Sequence, residues 1–357
     1  MMFSGYDIFQ YRSEFRDSVV NLLQSLWGED SIANLSYFRW KYEENPYSDA
    51  PLGIVALCQG QIVGFRAYLP IRFTVCGKKS DFIILFPGDT CVHPDHRRKD
   101  LSIIMGNLAT EILAPRYGLF FNTSCTRTSM PGYQKMGFLP LVPKFHVSQW
   151  SVFGLARYIL AAHEKKPLEA SGITFGKFGN IVIADTPRPE EMASLAMQQH
   201  CRIPSIGLYR NEVFFRWRFA NPRNKYVFYY RALGSSVTGY IVMGVSPNNQ
   251  RGYILDYAAK DDSAIREILA YIIRAKHFDI LSIYDFGLDI ASRPILQGLG
   301  FKSKSLLRMI EKRLYGDFPL LIRPVKKACA ESDFFIDGID VRKIENWSLM
   351  PICSDAA

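Results

Sequence analysis

The sequence predicts an α/β (α+β) protein made of two tandem copies of one β-rich module, on three observations. The chain has 357 residues, 48% of them hydrophobic, which leaves room for two cores at roughly 100–200 residues per domain. Short apolar runs of strand type alternate with helical stripes through both halves. A motif also returns. Phe38-Arg39-Trp40-Lys41-Tyr42, followed by Asn45-Pro46, is matched 177 positions later by Phe215-Arg216-Trp217-Arg218-Phe219, followed by Asn221-Pro222. Ile62-Val63-Gly64-Phe65 is matched by Val237-Thr238-Gly239-Tyr240 at a spacing of 175, and Gly137-Phe138 by Gly300-Phe301 at 163. Landmarks in one order at nearly constant spacing mark an internal repeat. The repeated aromatic boxes read as core packing with a snorkelling Arg rather than as ligand cages.

The elements follow in order. Val19, Val20, Leu22, Leu23 and Leu26 form a helical stripe over residues 15–26, and Asn45-Pro46 is a breaker. Residues 52–58 and 62–73 read as strands joined by the turn Gln59-Gly60. Residues 82–92 form a strand in which Pro87-Gly88 invites a bulge. Leu101, Ile104, Met105, Leu108 and Ile112 place a helix over 101–113; a strand follows at 117–122, then a helix at 130–136 ending at Gly137 and a strand from Phe138. In the second half, Ile265, Ile268, Leu269, Ile272 and Ile273 mark a helix over 263–276. The expected organisation is an N-terminal module over 1–150, a connecting segment with a helical stretch over 151–178, a second module over 179–316, and a tail over 317–357 of unassigned role.

Composition excludes several classes. An aromatic content of 14%, with 25 Gly and 19 Pro, excludes a disordered or low-complexity chain. No apolar run approaches the roughly 20 residues of a membrane span. Asp7, Arg12 and Glu14 interrupt any signal-peptide core, so a cytoplasmic location is expected. Seven scattered cysteines without a CxxC pair read as reduced thiols, not as a disulfide framework or zinc ribbon. Forty-three Lys+Arg against thirty-four Asp+Glu leave a net charge of +9, which suggests an anionic ligand.

The sharpest local signal is Cys91-Val92-His93-Pro94-Asp95-His96-Arg97-Arg98-Lys99-Asp100-Leu101-Ser102, a strand running through a basic loop into a helix. The start of that helix offers unpaired N–H groups and the positive end of a macrodipole, with Arg97, Arg98 and Lys99 beside them. Such a loop suits a pyrophosphate.

Here the sequence resembles the GNAT superfamily of acyl-CoA-dependent N-acyltransferases, whose pattern is Val-x-Pro followed by Arg/Gln-x-x-Gly-x-Gly/Ala. Val92, Pro94 and Arg97 match, while Asp100 and Ser102 stand where the two small residues would be. Asp100 is expected to point away or to cap the helix. Pro131-Gly132-Tyr133-Gln134-Lys135-Met136-Gly137-Phe138 resembles the family's Tyr-Glu-Lys-x-Gly-Phe ending, with Thr126 in place of an upstream Asn. The resemblance implies, for each module, a mixed, mostly antiparallel twisted sheet flanked by helices. It implies acyl-CoA as cosubstrate and no metal. Cys91, Val92, Arg97, Arg98, Lys99, Asp100, Leu101 and Ser102 would form the cofactor-binding loop, and Tyr133 would give a proton to the departing sulfur.

Asp89, His93 or a water relay could take the amine proton. The counterpart of the loop in the second half, residues 255–263, carries three aspartates and no Arg, so one CoA per chain is expected. Cys91, His93 and His96 lack a fourth metal ligand, and Cys125 reads as a structural thiol rather than an acyl carrier. Tandem architecture with one intact loop resembles bacterial enzymes that acylate nucleotide-linked amino sugars, such as a dTDP-linked 3-amino-3,6-dideoxyhexose used for surface polysaccharide. The alternatives are an aminoacyl-tRNA-dependent transferase, a silent acyl-CoA sensor, and a basic nucleic-acid adaptor. The short basic run fits a pyrophosphate better than a nucleic acid.

Overall fold

The computed structural model describes residues 2–76, 78, 80–143, 146–151, 154–156, 173–200, 205–245, 251–284, 292–302, 309 and 319–353. The chain begins with β1 (Met2–Phe3) and β2 (Tyr6–Gln10), then α1 (Arg16–Trp27) and α2 (Ser31–Phe38). The predicted stripe buries Val19, Val20, Leu22 and Leu23 of α1. Asp30 caps α2 by accepting from the Ala33 N–H at 3.0 Å. A π-helical turn, Arg39–Glu43, follows and turns three successive side chains inward, Trp40, Lys41 and Tyr42.

Gln59 and Gly60 both take left-handed backbone, φ 51° and 79°. That is the geometry of a type I′ hairpin, and it joins β3 (Leu52–Cys58) to β4 (Gln61–Val75). β5 (Asp81–Val92), α3 (Leu101–Leu113), β6 (Leu119–Asn122), α4 (Met130–Lys135) and β7 (Leu139–Pro143) come next, close to their expected places.

The path continues through β8 (His146–Trp150), β9 (Gly176–Phe178), β10 (Ile181–Ala184), α5 (Pro189–His200), β11 (Ile206–Leu208) and α6 (Glu212–Arg218). It then runs through β12 (Tyr226–Leu233), β13 (Ser236–Val245), β14 (Arg251–Ala259), α7 (Asp262–Ala275), β15 (Ile280–Tyr284) and α8 (Ser292–Gly298). It ends with β16 (Pro319–Pro324), the hairpin β17 (Phe335–Ile336) and β18 (Ile339–Asp340), and β19 (Trp347–Ser348). The helical stretch expected in the connecting segment falls largely on residues 157–172, outside the described residues.

Two large sheets result. The first has the order β1-β2-β3-β4-β5-β6-β16-β7, with β11 on the far part of β4 and β19 beside β11. The second has the order β8-β15-β14-β13-β12-β10-β9. Each is mostly antiparallel; β5 with β6 and β14 with β15 are parallel pairs crossed by α3 and α7 respectively, and the short contact of β11 with β19 in the first sheet is parallel too. Both sheets also recruit a strand from the other half of the chain. β16 lies between β6 and β7 in the first sheet, and β8 pairs with β15 in the second. The boundary at 150 thus falls just after a strand of the second sheet, and the segment from 317 onward supplies an interior strand of the first.

The repeated aromatic boxes meet where the two sheets pack. The Trp40 and Trp217 indoles stack with centroids 5.4 Å apart. Each donates its N–H to the other's backbone carbonyl, at 2.7 and 2.9 Å. Arg39 and Arg216 lie exposed outside this pair. Repetition of Phe-Arg-Trp thereby makes a local two-fold contact that satisfies both buried indole donors. Among the described residues, no helix is long and apolar enough to cross a membrane.

Candidate active site

β5 ends at Val92 and passes through a 3-10 turn, Pro94–His96, into the basic loop. Arg98 and Asp100 both take left-handed backbone, φ 60° and 53°. Glycine occupies such a position without penalty, and Asp is among the residues that tolerate it best. Asp100 thus stands where the resemblance expects glycine because that position needs a positive φ. Its carboxylate makes no cap bond to α3 and turns toward Lys135 at 3.6 Å, largely in solvent. Arg97 Nε donates to the Val92 carbonyl at 3.0 Å. Lys99 Nζ donates to the Tyr6 hydroxyl at 3.0 Å, and the same hydroxyl meets His96 Nδ1 at 2.9 Å. Arg97, Arg98 and Lys99 are exposed around the start of α3.

Beside this loop the first sheet opens. Parallel pairing of β5 with β6 consists of Ile84 with Leu119 and Leu85 with Phe120. Beyond Leu85, among the described residues, β5 continues to Val92 along β4 alone. A register shift in that ladder falls opposite Phe65–Ala67, where Asp89 has φ 42°. The His93 N–H donates to Val63 O at 2.8 Å. Antiparallel alternation from that bond directs the Cys91 N–H to β4 and the Val92 N–H away from it, into the opening. The Cys91 thiol lies on the other face, at 3.2 Å from Ser25 Oγ, and burial pushes its pKa up.

Arg66 and Tyr133 lie together on the α3–α4 side of this opening, and strand alternation from Cys91 and Phe120 turns Thr90 and Asn122 to the same face. Tyr133 is buried on α4, its ring edge-on to Phe138 at 4.9 Å. Arg66 is 2% exposed; its guanidinium lies 5.0 Å from the Tyr133 ring centroid, and its Nε donates to the Tyr68 hydroxyl at 2.9 Å. Asn122, 1% exposed, accepts from the Ser124 N–H through Oδ1, while its Nδ2 and the Thr90 Oγ1 are buried without a partner. Buried polar atoms left unpaired in a protein chain are uncommon, and a bound ligand or water entering the opening would satisfy these two.

The second sheet supplies an internal comparison. The Lys260 N–H donates to Thr238 O as the His93 N–H does to Val63 O, and the Phe301 N–H donates to Leu296 O as the Phe138 N–H does to Tyr133 O. Arg251 pairs with Ile280 as Ile84 pairs with Leu119. These bonds match Arg66, Thr90, Asn122 and Tyr133 with Ile241, Tyr257, Ile283 and Leu296. Those four close on one another around a void of about 10 Å³. The same backbone opening is therefore filled by three aliphatic side chains and one tyrosine in one sheet, and lined by four polar groups in the other.

Asp89 and His93 stand differently. The same matching puts Asp256 opposite Asp89. Asp89 accepts from Lys41 Nζ at 2.5 Å, from Trp27 Nε1 at 3.1 Å and from the Tyr42 hydroxyl. Asp256, in the plugged sheet, accepts from Arg210 and the Tyr240 hydroxyl, each at 2.7 Å. Asp256 is fully buried and Asp89 nearly so, each at a bulge and satisfied by a cation and a phenol, so the position has a structural use in both sheets. Burial pushes the Asp89 carboxyl up; the Lys41 ammonium and three hydrogen bonds more than reverse this, leaving it below the usual carboxylate range. Such a carboxylate is a weak base. His93 sits on the rim with its side chain 48% exposed, Nδ1 3.8 Å from Asp95.

The remaining sequence candidates have structural partners. Cys125 is buried beside Ser129 and Met130, and burial raises its pKa, which disfavours a nucleophilic thiolate. Thr126 exchanges hydrogen bonds with Ser129 at the start of α4. Among the described residues no group of three His, Cys, Asp or Glu is placed to hold a metal ion. Arg66 and Asn122 escaped the sequence reading, although an Arg between Phe65 and Ala67 in the apolar first half of β4, matched by Ile241, was a usable signal.

No protein-family model and no curated protein sequence matches this chain. Solved structures do. A GCN5-related N-acetyltransferase from Anabaena variabilis aligns over 90% of this chain and 73% of its own, at 13% identity and a TM-score of 0.60. One from Kribbella flavida aligns over 89% and 71%, at 11% identity and 0.59. The Saccharomyces cerevisiae N-myristoyltransferase with bound myristoyl-CoA aligns over 90% and 83%, at 14% identity and 0.54. Across nearly its whole length, the chain has the fold of the GCN5-related N-acetyltransferases.

Proposed function

We propose that the protein is an acyl-CoA-dependent N-acyltransferase with one active site, at the opening between β5 and β6. The observation that carries this reading is the contrast between the two sheets: polar groups and a basic helix start at one opening, three aliphatic side chains and one tyrosine at the other. The CoA diphosphate lies against the start of α3, with Arg97, Arg98 and Lys99 beside it and the N–H groups of Leu101 and Ser102 toward it. The pantetheine arm runs into the opening, where the Val92 N–H faces it. The amine attacks the thioester carbonyl, the oxyanion is held by hydrogen bonds in the opening, and Tyr133 gives its proton to the leaving sulfur. The amine proton leaves through water at the His93 rim, while Asp89 fixes the bulge.

The acceptor we propose is the amino group of a nucleotide-linked sugar such as a dTDP-3-amino-3,6-dideoxyhexose. The positive surplus suits a second diphosphate, and the family resemblance supports the class. Mass spectrometry of the purified protein is expected to find co-bound CoA or acyl-CoA. A thiol-release screen is expected to respond to nucleotide-linked amino sugars; response to aminoacyl-tRNA instead, or to no amine, defeats this acceptor.

Two outcomes arise from the loop. Reversing Arg97 and Arg98 to Glu weakens CoA binding in calorimetry by roughly 30-fold or more, since both charge-assisted contacts become repulsive. Unchanged affinity moves the diphosphate elsewhere. Asp100→Gly acts in the opposite sense. It relieves a left-handed backbone by about 0.5–1 kcal/mol and removes a negative charge beside the phosphates, tightening CoA roughly fivefold. Weaker binding by this variant defeats the assignment of the loop.

A further inference from the structure

We infer that Arg66 is the positioning residue of the acyl transfer: it holds the Tyr133 phenol by its oxygen and stabilises the phenoxide formed when that phenol protonates the departing thiolate. The inference rests on the acyl-transfer reading and deepens it.

A buried guanidinium is costly unless an anion lies against it. Among the described residues no carboxylate pairs with Arg66, and its neighbours are phenols. Nε donates to Tyr68 at 2.9 Å, and the guanidinium also donates to the Tyr133 oxygen. Gly106 of α3 makes the space: a Cβ there would come within 3.5 Å of Arg66 Nε and 2.3 Å of Met136 Sδ. A second buried guanidinium, Arg323, bonded to Thr110 Oγ1 at 3.2 Å, adds positive charge to the same region. At the matching place in the second sheet stands Ile241, opposite Leu296, so the fold by itself needs neither the cation nor the phenol.

The missing anion exists only during reaction. The amine nitrogen forms its bond to the carbonyl carbon, the C–S bond breaks with its electron pair going to sulfur, and the Tyr133 proton moves to that sulfur. The phenoxide left behind lies against Arg66 until a proton derived from the amine returns to it through water. An uncompensated cation is thus matched to the transition state rather than to the ground state. Donation from Arg66 to the oxygen's lone pair also leaves the phenol hydrogen free to aim at sulfur.

The test uses the full chain with acetyl-CoA and hydroxylamine as a general amine, reading free thiol. Wild type, Arg66→Met, Tyr133→Phe and the double variant form a cycle. Arg66→Met is expected to lower kcat roughly 30- to 100-fold with KM for acetyl-CoA within threefold, the scale of a lost general-acid contribution. The double variant is expected to be no slower than Tyr133→Phe alone, because a residue acting through the phenol has nothing to act on once the hydroxyl is gone. Arg66→Lys, which keeps the charge, is expected to recover at least a third of the wild-type rate.

Losses that multiply in the double variant, or full turnover by Arg66→Met, overturn the inference while leaving acyl transfer intact. Absence of thiol release by the wild type above the enzyme-free rate, with hydroxylamine and with the amino-sugar panel alike, defeats the acyl-transfer reading itself. Should Arg66→Met not fold, the same cycle with Arg66→Lys decides, and a loss that persists undiminished in the Tyr133→Phe background again overturns it.

Discussion

Replacing Tyr133 by Phe lowers kcat by about 10²–10³-fold, within the usual span of general acid catalysis, while CoA affinity stays within threefold. The ring packs edge-on to Phe138 and lies in a buried cluster with Met136 and Phe120. Phenylalanine keeps that packing and removes one oxygen. In the proposed complex binding energy comes from the loop at the start of α3, so the deletion should not reach it. A thiolate expelled without a proton is a poorer leaving group, and the loss falls on the chemical step. Stopped assays of thiol release alongside calorimetry with CoA separate the two quantities. Unchanged turnover removes Tyr133 from the chemistry; a parallel loss of CoA affinity makes it a binding residue.

Lys41→Met destabilises the fold by about 3–5 kcal/mol, the cost of leaving a buried carboxylate without its cation. Lys41 and Asp89 are 2% and 13% exposed at the side chain, 2.5 Å apart, and solvent cannot take over the role of the ammonium. The pH dependence gives a second signature. In the wild type the Asp89 pKa is depressed, so its stabilising contribution is fully present above the unfolded value, about 3.9, and is lost as pH falls through the folded value.

Without Lys41 its main depressing cause is gone and burial pushes the carboxyl up. The folded state then binds the proton more readily than the unfolded state, and stability of the variant rises as pH falls from 7 toward 5. Denaturant unfolding at the two pH values checks the sign. A variant that loses stability in parallel with wild type over that range rules out the pairing as the source of the depressed pKa. Asp89 would then be open to reconsideration as the base that accepts the amine proton.

The catalytic candidates and the architecture were legible to different depths. The loop from Val92 to Ser102 and the Tyr133 helix could be singled out as candidates because they are runs of residues adjacent in sequence at helix ends. Asp100 illustrates the limit. Its place in the motif identified a departure from glycine, and the structure supplied the reason, a left-handed backbone with the side chain turned to Lys135. Asp89 looked available from the sequence because its partners, Trp27, Lys41 and Tyr42, lie 47 to 62 residues away. Arg66 was hidden inside an apolar run, where a single charge looks like an edge or surface residue until its neighbours are known.

By itself, the sequence determined the helical stripes, the Gln59-Gly60 hairpin, the recurrence of the Phe-Arg-Trp box and the basic helix start. Each depends on backbone geometry repeated over a few residues, and on burial patterns that a single strand or helix already carries. Tertiary structure alone decided that β16 and β8 exchange between the sheets, and that Trp40 and Trp217 meet across the repeat. It also decided that one opening is lined by Arg66, Thr90, Asn122 and Tyr133 while its twin is sealed by Ile241, Tyr257, Ile283 and Leu296. These are contacts between segments far apart in the chain. They are selected by the burial and pairing of the whole assembly, which no local pattern encodes.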